Sequence, residues 1–276
     1  MAKNSSPALV LRPFENLPGE ADWVALREIV PAATATARTT AEHGARDVVV
    51  TTSLPDGWPA LHRTDGTVLL ALQNILGGGD LSRTLAANLL AILDSEPGTS
   101  LTHVETPAEE GPRLQDVLDP SVPFAVTLHD GFDYWFGADQ PIDGDLRKAL
   151  DDAAASIIPT EQLAGVDSAY LATFGKRRYL RWSMAVDEDR LVDGVARLHA
   201  KRESALGKSR FLGIFRACGI VVPVWDVAAG VTLEELEQLA EEMRPRLEAA
   251  IASSEPLTSD ERRARAGIVA RQVSLR

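Results

Sequence analysis

The apolar positions of this chain change period several times, from about two residues to about 3.6, and each change marks an element. "EADWVALREIVP" (20–31) places Trp23, Leu26, Ile29 and Val30 on one side of a helix that Pro31 ends. "RDVVVTTSL" (46–54) is rich in β-branched residues and reads as a strand. "PALHR", "TDG" and "TVLLALQ" (59–73) read as a hairpin, because Asp-Gly accepts the positive φ of a reversal. In "GGGDLSRTLAANLLAILDS" (77–95), Asp80 caps a helix whose buried stripe is Leu81, Leu85, Leu89, Ile92 and Leu93. A short strand is expected in "SLTHVET" (100–106), and the proline- and acid-rich 107–123 reads as a linker.

The pattern then restarts. "FAVTLH-DG-FDYWFG" (124–137) carries a hairpin signal, and Asp145 is placed to cap a helix through Leu146, Leu150, Ala154 and Ile157. Sliding 59–93 onto 124–158 without a gap pairs eight identical residues, among them Asp65/Asp130, Gly66/Gly131, Gly79/Gly144, Asp80/Asp145 and Leu85/Leu150. They fall on turn, cap and stripe, the positions that backbone geometry dictates. A looser third round follows, with a hairpin in "AYLATF-GKR-RYLRWSM" (169–184) and a helix in 187–200. "SRFLGIFRACG" (209–219) reads as a helix stopped by Gly219, and "IVVPVWDV" as a strand that Pro223 confines to an edge. "TLEELEQLAEEMRPRLEAAIASS" (232–254) has the Thr232/Glu235 capping box of a long helix, with Pro245 expected to kink it.

The fold class expected is therefore α+β: duplicated β-hairpin-plus-helix units, an antiparallel sheet with helices on one face, and a C-terminal helical segment. The layout expected is a mobile start (1–19), a first α+β unit (20–106), the linker (107–123), and second and third hairpin-helix units (124–206). A helix-strand-helix segment (207–254) and a basic tail (255–276) complete it.

Charge changes this picture in one place. The net charge is −12, yet residues 176–216 alone carry +6, against −15 for residues 1–175. An acidic chain does not coat nucleic acid generally, but a local basic surface remains open to it. Lys176, Arg177, Arg178 and Arg181 sit on the third hairpin, interleaved with Tyr179 and Trp182. Arginines beside aromatics suit an anionic partner such as RNA. Strand alternation alone would instead place Leu180 and Trp182 inside and the arginines outside. Lys201, Arg202, Lys208 and Arg210 follow, and the arginines of the tail are open to docking on the acidic first part or on a partner.

Other chemistry is thinner. One cysteine, Cys218, leaves no intrachain disulfide and is expected to be a buried structural thiol between helix and strand. His62 and His129 flank the two Asp-Gly turns without metal-ligand spacing. "GGGD" (77–80) precedes a helix as phosphate loops do, but lacks the Lys-Ser/Thr, and Asp80 opposes an anion. No stretch is long and apolar enough to span a membrane.

Three stretches together, "GWPALHRTDGTVLLALQ" (57–73), "FRACGIVVPVWDV" (215–227) and "DERRARAGIVARQVSLR" (260–276), resemble an uncharacterised domain-of-unknown-function family of cytosolic proteins from high-GC bacteria. The resemblance spans nearly the whole chain and implies no activity. The expectation is a non-enzymatic cytosolic interaction protein, adaptor or chaperone-like, with no cofactor or metal and a protein partner. The alternative is an RNA- or ribosome-associated factor using 176–181, and the third is an enzyme whose site is built from scattered residues.

Overall fold

A computed structural model describes residues 9–73, 79–108, 110–138 and 140–271, and divides the chain into two compact units, 1–157 and 158–276. Both are mixed α+β, each built on a mostly antiparallel sheet.

The first unit opens with α1 (Glu20–Glu28) and strands β1 (Ala33–Arg38) and β2 (Asp47–Thr51). The hairpin β3 (Ala60–His62) and β4 (Val68–Ala71) follows, then α2 (Leu81–Leu93) and β5 (Thr99–Ser100). α3 (Leu114–Val117), β6 (Val126–Leu128) and α4 (Gly144–Ala154) complete it. The sheet order is β5-β3-β4-β2-β1-β6, with β2 and β4 parallel and the other pairs antiparallel. The expected cap is present: Asp80 accepts from the amides of Ser82 and Arg83. The start expected to be mobile is anchored from residue 9 onward. Phe14 is buried and stacks on Trp23 at 5.6 Å, and Arg12 pairs with Glu20 at 2.5 Å. The expected linker also packs, since Leu114, Val117 and Leu118 are buried.

The proposed duplication is not realised as a second hairpin. After β6 pairs with β1, the chain turns into a short 3-10 segment, Asp133–Trp135, in place of a return strand. α4 is capped by Asp143, two residues before the expected Asp145. The physical reason lies in partners. Arg63 donates to the carbonyls of Tyr134 (3.1 Å) and Phe136 (2.9 Å), and Trp135 donates to Ser53 O at 2.8 Å while packing on Leu54, Leu69 and Ala71. The aromatic run 132–136 is held against the first hairpin, so it does not form one of its own.

The second unit holds β7 (Thr160–Gln162), the hairpin β8 (Ala169–Phe174) and β9 (Arg177–Trp182), and α5 (Glu188–Ala200). Then come β10 (Arg210–Ala217), β11 (Ile220–Val227), α6 (Leu233–Ala252) and α7 (Ser259–Ala270). Its sheet order is β10-β11-β9-β8-β7, antiparallel throughout. The helix expected over 209–219 is strand β10. Cys218 (φ 44) and Gly219 (φ 78) supply two successive positive φ values, the geometry of a tight hairpin turn, and turn β10 back into β11. Pro223 sits in an inner strand, not at an edge. It is tolerated because pairing towards β9 is interrupted there, between the Val221–Met184 bridge and the ladder that starts at Val224.

Leu180, Trp182 and Trp225 from the sheet pack with Leu191 and Val195 of α5, Leu236 and Met243 of α6, and Ile268 of α7. The segment expected as a tail is thus α7, capped by Thr258 and Glu261 and packed on α5. Arg265 fixes it there, donating to Asp193 at 2.7 Å and to Asp189 at 2.5 Å. Arg197 of α5 donates to the carbonyls of Ala250 and Glu255, satisfying the end of α6. No helix among the described residues is long and apolar enough to cross a membrane.

Candidate functional site

The six residues singled out on the β8–β9 hairpin occupy different environments. Lys176 and Arg177 are exposed at the turn, and Tyr179 is half-buried, its hydroxyl bonded to Arg177 in a way that raises that guanidinium's pKa. Arg178 donates to the carbonyl of Val231. Arg181 is buried with its guanidinium 6.0 Å from the Phe174 ring, and burial lowers its pKa to about 10. Trp182 lies in the core, 6.2 Å from Trp225. Lys176 and Arg177 are therefore the exposed cations of this hairpin, while Arg178, Arg181 and Trp182 are withdrawn from it.

The other candidates are similarly placed. Cys218, expected to be buried, is half-buried at the β10–β11 turn, because the element before it is a strand. His62 is bonded to Ser95 O at 2.9 Å, and His129 to the Thr34 hydroxyl at 2.9 Å. Burial holds the His129 pKa down, partly opposed by Asp130. Gly77 and Gly78 lie outside the described residues, whereas Gly79 (φ 85) enters the Asp80 cap.

A cleft of about 380 Å³ in the second unit brings together residues from three elements that sequence reasoning kept apart. α7 contributes Asp260, Arg263, Ala264, Gly267 and Ile268, with Arg271 just beyond its end. β10 contributes Phe211 and Leu212, and the end of α5 contributes His199 and Ala200. The floor is apolar and the rim polar. His199 faces Phe211 with ring centroids 5.9 Å apart, and its Nδ1 is 2.8 Å from the Ser204 hydroxyl. A β-bulge between Phe211 and Gly213 breaks the register at Leu212, a device that re-aims a side chain. Arg263 reaches Asp260 at 3.1 Å in a highly exposed i,i+3 pair, and the Arg271 guanidinium has no partner among the described residues.

Gly267 is the informative residue here. A glycine inside a helix costs about 1 kcal/mol relative to alanine. Two ordinary reasons for accepting that cost are a positive φ and a close neighbour, and Gly267 shows neither, since a Cβ there would meet nothing within 4 Å. It lies exposed in the cleft lining, where the place of a side chain is open space. Little in the sequence signals the β10 wall, because the spacing of Phe211, Ile214 and Phe215 fits a helix as well as a bulged strand.

Charge gathers at the same place. Glu261 lies close enough to Arg197 and Lys201 to feel both: a hydrogen bond with the Thr258 amide leads in lowering its pKa, and the two cations add to it. The basic run of 176–216 and the basic end of the chain are thus brought together by the packing of α7 on α5.

Neither a curated protein nor a solved structure matches this chain. A family model does, over residues 13–276, and the chain belongs to that family, described as a family of unknown function (DUF5926).

Proposed function

We propose that this is a cytosolic, non-enzymatic interaction protein, adaptor or chaperone-like, and that a segment of a partner protein docks in the α5–β10–α7 cleft. The observation that carries this is the gap at Gly267. This exposed glycine leaves open space in a cleft that Phe211, Ala264 and Ile268 also line. Apolar floors with polar rims are the usual anatomy of such contacts. A single cysteine in 276 residues fits a reducing compartment. The RNA alternative retains fewer exposed cations, since Arg178 and Arg181 are withdrawn from the hairpin surface.

The test is a photo-crosslinking amino acid placed at Leu212, with Glu248 on the exposed side of α6 as control. A discrete protein adduct from position 212 only, lost when Gly267→Leu is added, is the expected result. Equal adducts from both positions, or an adduct indifferent to Gly267→Leu, would overturn the proposal.

A further inference from the structure

We infer that the segment received by the cleft is extended, acidic and aliphatic: a carboxylate held by Arg263 and Arg271, and an aliphatic side chain seated over Gly267. This rests on the cleft being the docking site, and adds the chemistry of what docks there.

The length comes first. Lining residues run along α7 from Asp260 to Arg271, eleven residues apart, or about 16 Å at the helical rise. An extended chain covers that distance in about five residues. The shape follows from Gly267, whose missing side chain leaves open space for a branched aliphatic group in the cleft that Phe211 and Ile268 also line.

Charge decides the rest. The lining holds two arginines against one carboxylate, while Arg197 and Lys201 near the α7 start are offset in part by Glu261. Asp260 is a weak competitor for Arg263, because an exposed i,i+3 pair contributes little. Arg271 has no described competitor at all. The helix dipoles do not favour an anion on balance: α7 runs along the cleft with both ends on it, and the C-terminal ends of α5 and α7 oppose the N-terminal end of α7. The side chains therefore set the preference, and they favour a carboxylate. Arginine also offers a planar fork that a carboxylate meets with two parallel hydrogen bonds.

The experiment uses the full chain and two fluorescently labelled probes, Leu-Asp-Leu-Asp-Leu and its Asn-for-Asp counterpart, followed by anisotropy. The acidic peptide is expected to bind at least tenfold more tightly, with an affinity that falls as salt rises. Arg263→Gln/Arg271→Gln should bring the two peptides to equal affinity, and Asp260→Asn should tighten the acidic one. Gly267→Leu should remove binding of both without lowering the melting temperature. If both peptides bind equally and Gly267→Leu removes both, the cleft is the docking site but its acidic preference is wrong. If the acidic preference survives Gly267→Leu, the charge is read elsewhere and the cleft itself falls. Binding of neither peptide by the parent protein also overturns the inference, while the crosslink from position 212 judges the docking site separately.

Discussion

Two helical glycines of the second unit, Gly194 in α5 and Gly267 in α7, give up the same helix propensity for opposite reasons. A Cβ at Gly194 would come within 2.7 Å of Ile251 Cγ1 and 3.0 Å of the Ile251 backbone nitrogen, so the glycine lets α5 and α6 approach closely. A Cβ at Gly267 would enter open space. One absent side chain is filled by a neighbouring helix and the other by nothing in the described fold. Packing explains the first, and the second is the position that the proposed docking segment would occupy. The same residue type thus marks a helix contact in the middle of α5 and, in α7, the open position that the docking proposal uses.

The largest expected effect breaks the packed member of the pair. Gly194→Leu drives a side chain into the α6 backbone and should lower stability by about 3 kcal/mol, as overpacking does, read as a lower denaturant midpoint. Gly267→Ala tests the open member and has the opposite sign: a gain of about 0.5–1 kcal/mol from helix propensity alone. Cys218 separates backbone geometry from packing. Its φ of 44 suits asparagine, so Cys218→Asn should hold stability or raise it by about 0.5 kcal/mol, and the half-buried thiol of the parent should react with a thiol reagent in the folded state.

The smallest effect is acidic and lies in the first unit, at a third glycine. Burial works against ionisation of Asp65, but hydrogen bonds from Arg63 and Thr67 and the Arg63 charge outweigh it and lower its pKa from 3.8 to about 2. A carboxyl depressed in this way adds stability above pH 3.8 that is lost as the pH falls towards 2. A Cβ at Gly137 would stand 2.8 Å from Asp65 Oδ2. Gly137→Ala should displace the carboxylate, raise its pKa in an NMR titration, and weaken that stabilisation. An unchanged Asp65 titration would contradict this account of Gly137.

Much of the fold was legible because local chemistry decides it. Asp80 and Thr232 cap where expected, the β8–β9 hairpin turns at Gly175, and the mixed α+β class follows from these. Two of the misread elements share a reason. In 124–137 the Asp-Gly pair promises a hairpin, but Trp135 and the carbonyls taken by Arg63 are drawn to the first hairpin, more than 60 positions away. In 209–219 the spacing of Phe211, Ile214 and Phe215 fits a helix as well as a bulged strand, and pairing with β11 settles it. The cleft was illegible for a related reason. His199, Phe211 and Arg263 meet because α7 packs on α5 through Ile268 and Arg265, and no local pattern encodes that contact.

The central claim is that Gly267 is kept small for a visitor, not for the fold. The direct measurement is a series at this position, Gly267→Ala, →Val and →Leu, with unfolding stability and affinity for the acidic pentapeptide taken on the same preparations. The account predicts divergence: stability equal to the parent or above it at alanine and leucine, and affinity falling stepwise as side-chain volume grows. Affinity independent of that volume, or stability and affinity falling together from alanine onward, would contradict it.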